Sequence, residues 1–399
     1  MTSRPQPSGP LSGVRIIDFT SIYSGPIATA ILGDQGADVI KIEPAEGDLM
    51  RRGLAARNGV SAAFAMMNRN KRSVVVDARN DRGRTLLRRL IDGADVLVEN
   101  FRPGVMERLG LGYESFEESN PRLVYVSING VGSTGPYARR RVYDAVIQAV
   151  SGVAALQANA DDGRPQMVNT LICDKITSLN AAQVISAALF ARERSGRGQQ
   201  VELTMLDAAL NFIWPDGMWN YSFVGDDVAP QPNLDHSVFV RQTADGFVAV
   251  MPVKAAEWEG TFRALDLESL WGDPRFDTPT ARLANREQFQ QLLNEAYRKF
   301  TTEEVCARLE ANDVPFAVIN RREDVIRDPQ VVAMGALTEF EHHLAGAMRQ
   351  PRPAGRFHST PAGLQRSSPA LGEHTDEVLA ELGMVAAEIA ELRAAGVIG

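Results

Sequence analysis

Asp174 opens an alanine-rich run that reaches Ser195 without a glycine or proline, directly after the stretch Val168–Cys173. The run reads as a long helix. Its start is where unpaired backbone N–H groups and the helix dipole favour negative charge. Two roles use the same physics. A carboxylate there can cap the helix, or, held ionised, it can attack an acyl carbon as a nucleophile. The pattern alone leaves both open.

Basic residues cluster at Arg69-Asn70-Lys71-Arg72 and at Arg139-Arg140-Arg141. Each cluster adjoins a strand end or a loop, where open α/β sheets bind ligands. A polyanion carrying phosphates would use charges placed this way, and solvated surface accounts for them equally well. Gly130-Val131-Gly132-Ser133-Thr134-Gly135 is a literal GxGxxG after an apolar strand, the pattern that opens a dinucleotide site. Pro136 and then Tyr137–Arg141 follow where such a site wants an apolar helix, and no acidic residue closes a later strand. A glycine-rich surface loop is the plainer reading, with a nicotinamide-dependent oxidoreductase as runner-up. The five histidines, His236, His342, His343, His358 and His374, show no HxxxH or HExxH spacing. Neither a Walker A loop nor a GxSxG elbow occurs, so metal hydrolysis, nucleotide hydrolysis and a serine triad lack their marks, and no metal site is expected.

The elements that would hold these residues alternate. Val14–Phe19 reads as a strand, Gly25-Pro26 as a turn into a helix through Ala28–Leu32, and Ala37–Ile42 as a second strand. That is the size of a βαβ unit. The rhythm continues with strands at Ser73–Val76, Val96–Val98, Leu123–Ile128 and Gln200–Leu203, and a helix at Gly83–Ile91. The fold class expected is α/β, a doubly wound Rossmann-like large domain. From about Gly225 the composition changes, with Pro230 and Pro232, a strand at Gly246–Met251 and helices at Glu287–Phe300 and Glu303–Ala311. The division expected is residues 1–224 as the first part of the large domain, 225–328 as a smaller α+β domain, and 329–399 returning to complete the large one. Met348–Pro369, with four prolines, reads as extended, and helices at Thr375–Leu382 and Ala386–Ala395 close the chain.

Composition bounds the rest. With 399 residues, 44% hydrophobic and 23% charged, the chain is an ordinary globular protein. A net charge of −8 argues against general nucleic-acid binding. Cys173 and Cys306 stand far apart, which excludes zinc ribbons and disulfide scaffolds and fits a reducing compartment. Met1–Pro10 reads as a polar tail and not a signal peptide, and no apolar run has the length of a membrane helix. A cytoplasmic location without membrane contact is the expectation.

Leu11-Ser12-Gly13-Val14-Arg15-Ile16-Ile17-Asp18-Phe19 and Ser24-Gly25-Pro26 resemble the opening of class III CoA-transferases. Ala37–Glu43, Asn70-Lys71-Arg72-Ser73, Val98-Glu99-Asn100-Phe101, Gly196-Arg197-Gly198-Gln199 and Leu371–Asp376 continue the resemblance in order. It implies an interlocked homodimer, with Asp174 as the nucleophile that forms an aspartyl–acyl anhydride and then an aspartyl-CoA thioester. Coenzyme A and acyl-CoA would be substrates, with no permanently bound cofactor. The same resemblance implies CoA contacts at Ile22, Tyr23, Ser24, Lys71, Arg72, Asn100, Phe101, Arg108 and Arg141, with Gly130, Gly132 and Tyr143 on the substrate or oxyanion side. Tyr23 stands where formyl-CoA transferase has glutamine, and Ser222–Gly246 lacks that enzyme's glycine run, so oxalate specificity is not expected. The family also includes 2-methylacyl-CoA racemases, whose histidine base falls on Tyr143. A phenol is a poor proton acceptor at neutral pH, so transferase is preferred to racemase, and a silent acyl-CoA binder is a third reading.

Overall fold

The computed structural model describes residues 8–53, 55–159, 162–225 and 239–399. Most of the expected N-terminal tail, and Pro230, Pro232 and His236, lie outside them. The chain divides into two compact units, residues 1–228 with 335–399, and residues 229–334.

The larger unit is built on six parallel strands: β1 (Arg15–Asp18), β2 (Asp38–Glu43), β3 (Lys71–Val75), β4 (Val96–Glu99), β5 (Val124–Asn129) and β6 (Gln199–Thr204). Their order across the sheet is 3-2-1-4-5-6, the doubly wound arrangement with its switch point between β1 and β4. Ile17 pairs with Ile40 on one side and Leu97 on the other. All three are fully buried, as the continuous apolar runs of a sheet covered on both faces require. One face packs on α1 (Ser24–Asp34) and α4 (Ile172–Ser195) through Ala28, Leu32, Ala181 and Ile185. The other packs on α2 (Asp81–Asp92) and the closing helices α9 (Thr375–Glu381) and α10 (Ala386–Ala394) through Leu87, Ile91, Leu379 and Leu392. The C-terminus therefore belongs to this unit's core. Asp77 N–H donates to the Val397 carbonyl at 2.9 Å, and Val76 bridges Ile398.

Several elements are not among those the sequence led one to expect. α3 (Asp144–Ser151) and α5 (Met205–Gly217) pack on each other and on α4 below the glycine-rich loop. Strands β10 (Leu337–His342) and β11 (Gly346–Pro351) form an antiparallel hairpin where only an extended return was expected.

The smaller unit has three antiparallel strands, β7 (Val240–Gln242), β8 (Phe247–Val250) and β9 (Phe316–Val318), with β8 central. Helices α6 (Ala255–Ala264), α7 (Arg286–Tyr297) and α8 (Thr302–Ala311) cover it around Phe262, Phe289, Leu293 and Leu309. Among the described residues no helix is long and apolar enough to cross a membrane.

Candidate active site

A cleft of about 320 Å³ opens at the carboxyl ends of β1, β4 and β5, where the strand order reverses and open α/β sheets take their ligands. The loop after β1 forms one wall. Asp18 is completely buried and accepts from Thr20 N–H at 2.8 Å and Thr29 Oγ1 at 2.7 Å. Burial alone would raise its pKa. The ammonium groups of Lys71 and Lys41 overcome that and hold it at about 2. Ser21 exchanges two hydrogen bonds with Asn100, each 2.9 Å, which ties this loop to the end of β4. Ile22 then takes φ +72°, a left-handed conformation that a β-branched residue adopts only under constraint from its surroundings. The constraint is visible: Ile22 and Tyr23 pack on Met50, Phe64 and Met67.

Asp174 lies in the first turn of α4, partly buried, and faces this loop. Its carboxylate accepts a hydrogen bond from the Ser24 hydroxyl. Ser178, one turn along α4, donates to the Ser24 carbonyl at 2.7 Å, so α1 and α4 are joined on both sides of that contact. The helix begins at Ile172 with Leu171 as its N-cap, and no side chain caps that residue's end. Asp144, buried at the start of α3, does the nearest equivalent: it accepts from Asp174 N–H at 3.0 Å. The helix-capping role offered for the Asp174 side chain is thus taken by another carboxylate. Burial raises the Asp174 pKa, with the Asp144 charge adding to the rise and the Ser24 bond opposing it.

Asp174 is the one carboxylate among the described residues lining the cleft, and Arg102, Arg140 and Arg141 line it too. None of the three arginines forms an ion pair among the described residues; Arg140 lies over the Tyr137 ring at 3.9 Å. Ile22, Tyr23, Ser24, Asn100, Phe101, Arg141, Gly130, Gly132 and Tyr143 all meet at this cleft with Asp174. The glycines are there for space and shape. A Cβ on Gly130 would sit 1.8 Å from Val142 Cγ2, and Gly132 adopts φ +89° while its N–H donates to Asn129 Oδ1 at 2.5 Å. No helix follows until Asp144. The loop therefore lacks the helix N-terminus on which a dinucleotide pyrophosphate sits.

Three residues expected to contact CoA are placed elsewhere than in the cleft lining. Lys71 is fully buried under the sheet end and donates to Asp18 Oδ2 at 2.9 Å, the Pro26 carbonyl at 3.0 Å and Asn68 Oδ1 at 2.9 Å. Arg72 is buried against Asp38, Glu377 and Glu381, fastening α9 to the sheet. Both charges are matched by partners inside the chain. Arg108 ends the short helix Val105–Arg108, exposed and outside the cleft lining, where Arg102 and Pro103 stand instead. Arg102, Asn129 and Met205 were missed. Arg102 and Asn129 follow or end strands β4 and β5, so the rule that ligands sit at strand carboxyl ends would have found them.

Comparison with known proteins agrees with this geometry. The chain matches CoA-transferase family III over residues 11–375. It is 34% identical to a succinate–glutarate CoA-transferase of Agrobacterium fabrum, covering 96% of this chain and 98% of that one. A formyl-CoA:oxalate CoA-transferase of Streptomyces coelicolor is 33% identical, with 97% of this chain and 99% of that one covered. A crystal structure of a CAIB/BAIF family protein from Brucella suis superimposes with a TM-score of 0.81 at 33% identity, over 94% of this chain and 100% of that one. A parallel α/β sheet, a cationic cleft at its switch point and a match along almost the whole sequence converge: the chain belongs to CoA-transferase family III and is an enzyme that transfers coenzyme A.

Proposed function

We propose that this chain moves CoA from an acyl-CoA donor to a carboxylic acid acceptor through covalent chemistry at Asp174. The observation that carries the reading is a single cleft lined by one carboxylate and by three arginines that form no ion pair among the described residues. The arginines suit the phosphates of CoA, and the relatives' names give acyl-CoA and carboxylate substrates. A carboxylate oxygen of Asp174 attacks the thioester carbon, the C–S bond breaks, and a mixed anhydride and CoA thiolate result. The thiolate attacks the aspartyl carbonyl, releasing the donor acid and leaving an aspartyl-CoA thioester. The acceptor carboxylate attacks that carbonyl in turn, giving a new anhydride and thiolate. Attack of the thiolate on the acceptor acyl carbon yields the new acyl-CoA and restores Asp174. Each step exchanges carboxylate for thiolate, so no proton moves; backbone N–H groups near Gly130 and Gly132 are suited to steadying the oxyanions. The interlocked homodimer implied by the family resemblance forms part of the same proposal.

Incubating a panel of acyl-CoA donors with succinate, glutarate, oxalate and monocarboxylates, and weighing the products, tests it. A new acyl-CoA that forms only when donor and acceptor are both present is the expected result. Hydrolysis alone, or no product from any pair, contradicts it. Racemisation is disfavoured by the cleft itself, since no histidine lines it among the described residues.

The Ser24 hydroxyl donates to the attacking group, so it favours the ionised, reactive form of Asp174. In Ser24→Ala the acid limb of the kcat/KM profile moves to higher pH, and Ser24→Thr restores part of the shift. A profile that only drops in height, with its limb unmoved, would assign Ser24 a packing role.

A further inference from the structure

The smaller unit contains a cavity of about 300 Å³ that the transfer chemistry does not use. Trp258, Leu283 and Phe289 give it apolar walls, and Arg241 and Arg282 line it as well. Arg241 lies on β7 and is only 5% exposed. A guanidinium this deeply buried is ordinarily matched by a carboxylate, because taking an isolated charge out of water is costly. Here Nη1 donates to two neutral oxygens, Gln290 Oε1 at 2.6 Å and Asn294 Oδ1 at 2.9 Å. Among the described residues no acid pairs with Arg241, and its Nε and Nη2 have no hydrogen-bond partner. Burial accordingly lowers its pKa, opposed only by Tyr297. The Nε–Nη2 edge is the face on which arginine takes a carboxylate through two parallel hydrogen bonds. Arg282 adds a second cation to the same wall, lying 4.7 Å over the Trp258 ring and donating to the Phe276 carbonyl at 2.8 Å.

We propose that this cavity is a binding site for a small aliphatic carboxylate, its head on the Nε–Nη2 edge of Arg241 and its chain against Trp258 and Phe289. Every residue named belongs to the smaller unit, and the inference does not depend on the role given to Asp174. The volume lies at the lower end of small-molecule sites, and the mixture of a few polar groups with apolar walls is the composition such sites share.

Sodium hexanoate is the probe, added to the full-length chain labelled with fluorotryptophan, with the Trp258 resonance identified by Trp258→Phe. A saturable shift of that resonance by hexanoate, and none by hexan-1-ol, is expected. Arg241→Met should weaken the response at least tenfold. Since losing this guanidinium strands two amide oxygens and endangers the fold, Arg282→Glu provides a second arm: a negative charge in the wall should weaken hexanoate to the same degree. The wild-type chain failing to respond, as would follow if protein fills the cavity, overturns the proposal. So does an unchanged affinity in either folded variant.

Discussion

Asp174→Asn loses transferase turnover by at least about 10³-fold, the scale on which removal of an essential nucleophile is felt, and melts no lower than the wild-type chain. The two halves of that result come from one environment. The amide keeps an oxygen for the Ser24 hydroxyl to bond, and its backbone N–H still meets Asp144. It cannot form an anhydride. The stability half follows from the raised pKa. The folded protein holds the Asp174 proton more tightly than an ordinary carboxyl of 3.8. The stability linked to this group is therefore present below that value and is lost as pH rises through the folded-state pKa. At neutral pH the ionised side chain is a cost, and the neutral amide removes it. Melting curves at pH 7 and near pH 3 check the sign: the Asn variant should gain at the first and show little difference at the second. A variant that turns over normally, or one that melts well below wild type at pH 7, would return Asp174 to a purely structural role. Sites that do chemistry commonly give up stability in this manner.

Lys71→Met costs about 3–5 kcal/mol at pH 7, the range found when one partner of a buried ion pair is removed. Asp18 would stay inside the sheet without its nearest cation, keeping only the more distant charge of Lys41. Asp18 is held at about 2 in the folded chain, so its contribution is present above the ordinary carboxylate value and is lost as pH falls through about 2. In the variant Asp18 can take up a proton well above that, so the deficit should shrink as the solution is acidified towards pH 4. Urea titrations at the two pH values measure this. Wild-type stability together with weakened CoA binding would instead mean that Lys71 reaches the ligand.

The pair also shows where sequence reading stops. Strands β1, β2, β4 and β5 were legible because buried runs such as Ile16-Ile17 and Val96-Leu97-Val98 leave little else for the chain to form. The sheet order was implied by the fold class but depends on crossovers that no single run records. The burial of Lys71 was not legible because a lysine in a basic cluster looks exposed, and its buried partner is Asp18, 53 residues earlier. The Ser24–Asp174 bond spans 150 residues, so local pattern could not decide between cap and nucleophile. The β10–β11 hairpin escaped because Thr338-Glu339-Phe340-Glu341 is largely exposed and carries almost no apolar alternation. α5 was hidden by Pro215 inside it. The cleft residues at strand ends were within reach; Arg102 and Asn129 needed only the switch-point rule.

Covalent capture distinguishes a nucleophilic Asp174 from a structural one. Wild-type enzyme is mixed with an acyl-CoA donor that the panel shows it accepts, quenched with hydroxylamine, digested and weighed. An aspartyl anhydride or thioester is attacked at its carbonyl and leaves a hydroxamate, so the modification should appear on the peptide containing Asp174, depend on the donor, and vanish in Asp174→Asn. Active enzyme whose Asp174 peptide stays unmodified through turnover, or a hydroxamate on a different carboxylate, would contradict the account.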